Sequence, residues 1–388
     1  MRKLISILLI CLLLAGCAVA PAAPETTPAT PTTAVPRETT AEPDPLRLML
    51  DSMTRSQKVG QLFICAPEQV LTGVDAVVSM EDALEEALTR YPLGGIILFT
   101  KNIRNPEQLS ALNQALKNAG GIPMFLAVDE EGGAVARLGN HKAFDLPTYK
   151  SAAAVGVNRD PADALEMGRT IGTYLYQHGF NLNFAPVADV NTNPNNPVIG
   201  TRAFSSDPEV AARMAAAFAA GLRESGICAT FKHFPGHGDT NQDSHTGLAV
   251  SYRSREEMES CEWLPFRQAT FLDLVMTAHV ALPEITGDMT PSTLSREIVT
   301  GILREELMFE GLIITDAMNM GAIADTYSSG EAAVTALRAG CDIILMPENL
   351  PEAFDAVIAA LEAGTLTEDW LNDTVYRILE FKAFHGIL

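Results

Sequence analysis

The chain has 388 residues, 47% of them hydrophobic, and a formal net charge of -21. This length suits two domains or one large barrel, and the hydrophobic fraction is ample for a core. The negative charge argues against a nucleic-acid partner, because binding to phosphates requires a basic face.

Residues 1–16 have the pattern of a bacterial lipoprotein signal peptide. Arg2 and Lys3 precede an apolar run that is too short for an ordinary membrane span. The run ends in Leu-Ala-Gly-Cys at 14–17, which resembles the signal in which the cysteine is lipidated and becomes the mature N-terminus. We therefore expect lipidation at Cys17 and an extracytoplasmic protein, lipid-anchored to the bacterial cell membrane.

Residues 17–45 are rich in Pro, Thr, Ala and Glu and have no apolar periodicity. Such a composition cannot form a core, so the segment is predicted to be a disordered linker. It would hold the folded part away from the membrane surface. The folded part is predicted to span residues 46–388.

Eight short apolar runs alternate with helix-patterned segments in this folded part. The predicted strands are 62–65, 95–99, 124–128, 182–186, 228–231, 274–277, 312–315 and 343–346. Apolar strands that alternate with helices favour a parallel sheet covered on both faces. Eight such units predict an α/β fold with a single (β/α)₈ barrel of the TIM type. A doubly wound sheet is the alternative.

Seven of the intervening or closing segments have a helical pattern. The spacing of apolar residues predicts helices over 162–178, 208–224, 256–271, 296–308, 330–338, 351–363 and 368–384. Asp207 followed by Pro208 is typical of a helix start, and Gly340 lies where a helix should end.

Charged residues follow several of the predicted strands. Asp129 follows the third strand, Lys232 and His233 follow the fifth, His279 follows the sixth and Asp316 follows the seventh. In a barrel of this type, the carboxyl ends of the strands meet at one face, where active sites lie. These residues are therefore predicted to form one site.

The loop that follows the fifth strand contains an unusual number of groups that titrate. Residues 231–245 hold three of the seven histidines, one lysine and two aspartates. Either of two chemistries could use them. One is metal binding, and the other is proton transfer by a histidine that an aspartate orients. The potential metal ligands are His233, His237, Asp239, Asp243 and His245.

A carboxylate that closes a buried strand, as Asp316 does, is rare unless it is paired or catalytic. Such a group can attack the anomeric carbon of a sugar and form a glycosyl ester. The segment Asp129-Glu130-Glu131-Gly132-Gly133 offers acceptors for sugar hydroxyl groups, while Arg137 and Arg202 offer donors.

Five motifs resemble the β-N-acetylglucosaminidase branch of glycoside hydrolase family 3. They are Lys-His-Phe-Pro-Gly-His-Gly-Asp-Thr at 232–240, Asp-Ser-His at 243–245, Val-Asp-Glu-Glu-Gly-Gly at 128–133, Ile-Gly-Thr-Arg-Ala-Phe-Ser-Ser-Asp-Pro at 199–208 and Thr-Asp-Ala-Met at 315–318. The resemblance covers about residues 47–388. The long histidine motif is very specific, whereas the others would be weak alone.

The resemblance implies an exo-β-N-acetylglucosaminidase with a retaining mechanism and neither metal nor cofactor. Asp316 corresponds to the nucleophile, and His245, paired with Asp243, to the general acid/base. The residues that correspond to those holding the terminal sugar are Asp129, Arg137, Arg202, Lys232 and His233. The implied substrates are N-acetylglucosaminides from muropeptides or chitin fragments. His237 is expected only to shape the loop.

An imidazole suits the acid/base role, because its ordinary pKa near 6.5 allows it to give and take a proton at neutral pH. We therefore expect Asp316 and His245 to face each other across one sugar. Two alternatives stay open. One is a metal-dependent barrel hydrolase that uses His233, His237, His245 and Asp316, and the other is a lipid-anchored sugar-binding protein.

Overall fold

Eight parallel strands form the centre of the computed structural model, which describes residues 44–119, 121–244 and 247–388. The strands are β1 (Phe63–Cys65), β2 (Gly95–Ile97), β3 (Phe125–Val128), β4 (Leu182–Asn183), β5 (Cys228–Phe234), β6 (Leu274–Thr277), β7 (Leu312–Thr315) and β8 (Ile344–Leu345). From β1 to β7 each strand pairs with the next, and β1 also pairs with β8. A parallel bridge between Ile314 and Ile343 joins β7 to β8, so the predicted barrel is confirmed.

Helices precede or follow the barrel strands along the chain. They span Pro45–Ser52, Arg55–Gln61, Pro67–Val70, Asp82–Arg90, Pro106–Asn118, Ala152–Gly156, Pro161–Gln177, Pro208–Glu224, Arg255–Ser260, Pro283–Thr286, Glu297–Glu306, Gly321–Ala324, Ser329–Ala339, Leu350–Glu362 and Glu368–Phe384. Short 3₁₀ turns lie at Thr100–Asn102, Gly200–Arg202, Phe266–Gln268 and Ser292–Leu294. Two small ladders, Glu130–Gly132 with Val135–Ala136 and Ala249–Val250 with Val280–Ala281, lie outside the barrel.

Local signals in the sequence account for most helix boundaries. Pro208 begins its helix, and the Asp207 side chain accepts hydrogen bonds from the backbone N–H groups of Glu209 and Val210. The prediction of one helix over 256–271 is wrong, because the helix ends at Ser260. Pro265 prevents a helix from continuing through this segment, because its ring would clash with the carbonyl group of Cys261 and it lacks an N–H group.

The residues of the barrel strands are buried, as expected for a sheet that is packed on both faces. At the amino ends of the strands, Lys382 of the last helix is fully buried and donates hydrogen bonds to Gln61 Oε1, Gly94 O and Pro123 O at 2.8–3.0 Å. These contacts tie the last helix to the segments that lead into β1, β2 and β3.

The predicted signal peptide, the predicted lipidation site Cys17 and the predicted linker as far as residue 43 lie outside the described residues. Of the helices that are described, none is both long enough and apolar enough to cross a membrane.

Candidate active site

A cavity of about 300 Å³ lies at the carboxyl ends of the barrel strands. Asp129 and Glu131 reach it from the segment after β3, Lys232 and His233 from the end of β5, and Asp316 from the end of β7. Its other lining residues are Ile97, Phe99, Val135, Arg137, Val198, Arg202, His237, Ser244, Met276, Ala317, Asn319, Met320, Leu345 and Met346. The fold thus brings four of the five strand-end residues together, as expected for a barrel of this type. The fifth, His279, does not line the cavity; its ring contacts Thr293 Oγ1 and Ala317 O.

A network of alternating charges forms one part of the cavity wall. Lys232 Nζ lies 2.8 Å from Asp129 Oδ1 and 2.7 Å from Glu131 Oε1. Arg202 forms a bidentate ion pair with Glu131, with Nε 2.9 Å from Oε2 and Nη2 2.7 Å from Oε1. Arg137 Nη2 lies 3.6 Å from Asp129 Oδ2. The network therefore offers fixed donors and acceptors to a polar ligand.

The charges of this network support one another. Burial by itself would raise the pKa of Glu131, but the nearby Lys232 and Arg202 lower that pKa well below its ordinary value. Burial by itself would lower the pKa of Lys232, but Asp129 and Glu131 raise it. At neutral pH the carboxylate of Glu131 and the ammonium of Lys232 are both charged.

His233 is held by a buried aspartate. The pairing of β5 with β6 is irregular between Lys232 and Phe234, and both Lys232 and His233 line the cavity. His233 Nδ1 lies 2.7 Å from Asp189 Oδ2, so the ring donates its Nδ1–H to that carboxylate. The pKa of Asp189 is lowered, because the contacts with His233 and His237 outweigh the opposing effect of burial. This leaves His233 Nε2 as the second polar atom of the ring, 3.4 Å from Arg202 Nη2.

Asp316 directly follows β7, and its backbone N–H donates to Thr277 O at 2.8 Å. Its Oδ1 accepts a hydrogen bond from the backbone N–H of Ala317 at 2.7 Å. Burial would raise the pKa of Asp316, but His233, His279, this hydrogen bond and Lys232 together lower it. The carboxylate is therefore ionised at neutral pH, as a nucleophile must be.

The loop after β5 forms another part of the wall. The buried ring of His237 has Nδ1 2.7 Å from Thr240 Oγ1 and Nε2 3.1 Å from Ser244 Oγ. Burial lowers the pKa of His237 below its ordinary value, so the ring is neutral at neutral pH. His237 thus connects both ends of the stretch 237–244 through side-chain contacts.

The residues of the metal-binding alternative are only partly described. Within 44–119, 121–244 and 247–388, no group of three or more His, Cys, Asp or Glu side chains is arranged to hold a metal ion. His245 lies outside these ranges, so its predicted position across a sugar from Asp316 stays a prediction.

Comparison with known proteins identifies the family. The sequence profile described as "Glycosyl hydrolase family 3 N terminal domain" matches residues 54–381. The chain belongs to glycosyl hydrolase family 3. A "Beta-hexosaminidase" of Alkalilimnicola ehrlichii is 39% identical over 285 residues, which cover 71% of this chain and 80% of that protein.

Longer family 3 relatives align over most of this chain. "Beta-hexosaminidase A" of Pseudoalteromonas piscicida is 34% identical over 365 residues, which cover 85% of this chain and 61% of that protein. The structure of a family 3 β-N-acetylglucosaminidase from Paenibacillus sp. str. FPU-7 superposes with a TM-score of 0.81 at 36% identity. That alignment covers 87% of this chain and 63% of the Paenibacillus chain. This chain therefore spans about three fifths of the length of these two relatives.

The predicted membership of family 3 is confirmed, and the structure brings most of the predicted site residues together. Six of the eight predicted catalytic and sugar-binding residues line the cavity; they are Asp129, Arg137, Arg202, Lys232, His233 and Asp316. Asp243 is described, but it is not among the lining residues. The roles of all eight stay predictions.

Asp189 was not predicted as a site residue, and Glu131 was predicted only as one acceptor within the motif at 129–133. Asp189 follows the apolar stretch 184–188, which is the same signal that identified Asp316 at the end of β7. Glu131 lies in the Asp-Glu-Glu-Gly-Gly motif, but the sequence does not distinguish it from Glu130. In the structure Glu130 instead accepts hydrogen bonds from Leu138 N, Gly139 N and Tyr174 Oη, at 2.8–2.9 Å.

Proposed function

We propose that this protein is an exo-β-N-acetylglucosaminidase that removes terminal β-linked N-acetylglucosamine from cell-wall or chitin-type saccharides. The observation that carries the proposal is that the ionised Asp316 shares one cavity with the charge network around Lys232. The volume of about 300 Å³ is at the lower end for ligand pockets and suits one terminal sugar. The choice of sugar is supported by the Paenibacillus relative, which is a β-N-acetylglucosaminidase, and the β-hexosaminidases among the relatives agree with it.

The proposed reaction proceeds in two displacements at the anomeric carbon. In the first, an oxygen of Asp316 forms a bond to that carbon while the bond to the leaving oxygen breaks. His245 gives a proton to the leaving oxygen, and Asp243 orients the imidazole. In the second, neutral His245 takes a proton from water, and the water oxygen displaces Asp316. Two inversions give overall retention of configuration.

The charge network would hold the sugar during both steps. Asp129 and Glu131 offer acceptors to hydroxyl groups, while Arg137, Arg202 and Lys232 offer donors. Because these groups already pair with one another, they do not need to reorganise when the sugar binds. Such preorganisation favours the transition state over the free substrate.

We further propose that Cys17 carries a lipid and that the enzyme acts outside the cytoplasm, anchored to the membrane. The support is the signal-peptide pattern of residues 1–17. The substrates would then be saccharides of the cell envelope or the surroundings. A muropeptide and a chitin fragment both present the same terminal sugar.

A substrate panel tests the proposal. Chromogenic β-N-acetylglucosaminide, β-glucoside and β-xyloside are compared with and without a chelator, and NMR identifies the first-formed anomer. We expect the N-acetylglucosaminide to be cleaved fastest and to release the β anomer first. Release of the α anomer would contradict the retaining mechanism. Binding without turnover would favour a sugar-binding protein, and activity that is lost in chelator and restored by zinc would favour a metal-dependent hydrolase.

A further inference from the structure

Arg253 lies on the outer side of the loop after β5, between two carboxylates. Its Nη1 is 3.2 Å from Glu262 Oε2, and its Nε is 3.4 Å from Asp239 Oδ1. The side chain of Glu262 is 1% exposed and that of Arg253 is 22% exposed, so the pair is largely shielded from water. Asp239 belongs to the loop, whereas Arg253 and Glu262 do not. Arg253 therefore links the loop to the body of the barrel.

The barrel side of this link is firmly held. Val250 pairs with Ala281 in a short parallel ladder, and the backbone N–H of Ser251 donates to Ala281 O at 3.0 Å. Glu262 precedes Trp263, which is fully buried. Arg253 thus extends from a backbone segment that is hydrogen-bonded to the β6 side of the barrel.

On the loop side, Ser251 and Glu262 add two contacts to those that Asn193, Asn196 and Ala322 make with the same stretch. The hydroxyl group of Ser251 donates to Asp239 Oδ2 at 3.0 Å, so both oxygens of Asp239 have a partner in this segment. Gly236, at φ +126°, packs against the stem of Glu262, and a Cβ atom there would lie 2.6 Å from Glu262 Cγ. The loop therefore packs against Glu262 at Gly236 and contacts Ser251 and Arg253 through Asp239.

Glu262 occupies a position that is costly for a carboxylate. Its Oε1 is buried and has no hydrogen-bond partner among the described residues. The titratable groups that act on it are Arg253, Asp239 and Cys261, and burial raises the pKa of Glu262 to about 7. A buried carboxylate with one charged partner is weak evidence for stability, but such pairs can specify a conformation. Here the pair would specify the conformation of the loop after β5, which packs against Glu262.

We propose that Arg253, braced by Glu262, is a positioning residue for the glycosidase reaction. It holds Asp239 and thereby adds to the contacts that position the stretch 237–244, whose end residues His237 and Ser244 line the cavity. The same stretch directly precedes His245 in the sequence. This inference rests on the proposed function, because it gives Arg253 a role in the delivery of a proton that only that function requires.

The test compares Arg253→Ala with wild type on two β-N-acetylglucosaminides, one with a good leaving group such as dinitrophenolate and one with an alkyl leaving group. Displacement of the loop should lower kcat/KM for the alkyl glycoside by about 10- to 100-fold. The dinitrophenyl glycoside should lose less than about threefold, because its leaving group departs without a proton. Arg253→Lys should recover part of the loss. The matched control is Arg255→Ala, which removes contacts with Glu259 and Glu306 and should leave both rates unchanged.

Equal losses on both glycosides, or no loss, would overturn the positioning role. If Arg253→Ala does not fold, as judged by thermal unfolding, Glu262→Gln decides instead. The variant is assayed above the pKa of Glu262, where the wild-type carboxylate is charged. It keeps the shape of the Glu262 side chain but removes the charge, so it should show the same selective loss to a smaller degree, and unchanged rates would overturn the proposal. Asp316→Ala in the same assay separates the two hypotheses. If it stays active, the proposed mechanism fails; if it is inactive while Arg253→Ala affects both glycosides equally, only the positioning role fails.

Discussion

The Asp316→Ala substitution tests the proposed nucleophile with little disturbance of the fold. Asp316 lies at the end of β7, and the hydrogen bond from its backbone N–H to Thr277 O is retained by alanine. The substitution removes the side-chain hydrogen bond from Ala317 N, which contributes about 1 kcal/mol to stability. We therefore expect a protein that unfolds within a few degrees of wild type.

The loss of activity should be far larger than the loss of stability. Without the carboxylate, no glycosyl ester forms and the reaction loses its two-step route. A loss of at least about 10⁴-fold in kcat/KM corresponds to about 5.5 kcal/mol of transition-state stabilisation. The measurement is the hydrolysis of a dinitrophenyl β-N-acetylglucosaminide, because this substrate does not depend on proton donation.

Azide provides the decisive assay. In Asp316→Ala the space that the carboxylate occupied is open to a small anion, which can attack the anomeric carbon from the same side. One displacement then yields an α-glycosyl azide, whose configuration NMR determines. The matched control is Asp129→Ala, which removes another cavity carboxylate and should raise KM without yielding the azide. Near-normal hydrolysis by Asp316→Ala, or a β-glycosyl azide, would refute the assignment.

The remaining predictions concern the proposed acid His245, the charge network around Lys232, the buried carboxylate of Glu262 and the proposed lipid anchor at Cys17. His245→Ala should slow glycosides with poor leaving groups most, and equal loss on good ones would mean that His245 only binds. In Lys232→Met, Glu131 keeps only Arg202 as a charged partner. The free energy of unfolding should fall by about 3 kcal/mol, as measured by urea unfolding, and KM should rise, as measured by steady-state kinetics. Burial raises the pKa of Glu262 from 4.5 to about 7, so the folded state binds a proton at this carboxylate more tightly than the unfolded state does. The free energy of unfolding should therefore fall by up to about 3 kcal/mol as the pH rises from 4.5 to about 7. Glu262→Gln should remove that part of the fall, and an unchanged pH profile would contradict this account. Cys17→Ala should release the protein from the membrane fraction, and retention there would exclude a lipid anchor at this residue.

The barrel strands could be predicted from the sequence because they depend on local pattern. Each is a short apolar run between helical segments, and all eight predicted runs overlap observed strands. Where a local signal was overlooked, the prediction was wrong. Pro265 lies inside the helix predicted over 256–271, and the observed helix ends at Ser260.

The sequence predicts those site residues that lie at the ends of barrel strands. Asp129, Lys232 and Asp316 each follow an apolar run, and a parallel barrel brings such positions to one face. The partners of these residues could not be predicted in this way. Lys232 and Asp129 are 103 positions apart, and Arg202 and Glu131 are 71 positions apart.

The sequence by itself determined the number of strands and their order along the chain, the family and the residue types of the site. The choice of a barrel over a doubly wound sheet was decided by the pairing of β7 with β8. Only the tertiary structure decided that Asp189 holds His233, that Glu131 lies between Lys232 and Arg202, and that Arg253 joins Glu262 to Asp239 in the loop after β5. The physical reason is that a strand or helix is encoded by its own residues. An ion pair instead depends on the distance between two segments, which is set only when the barrel closes.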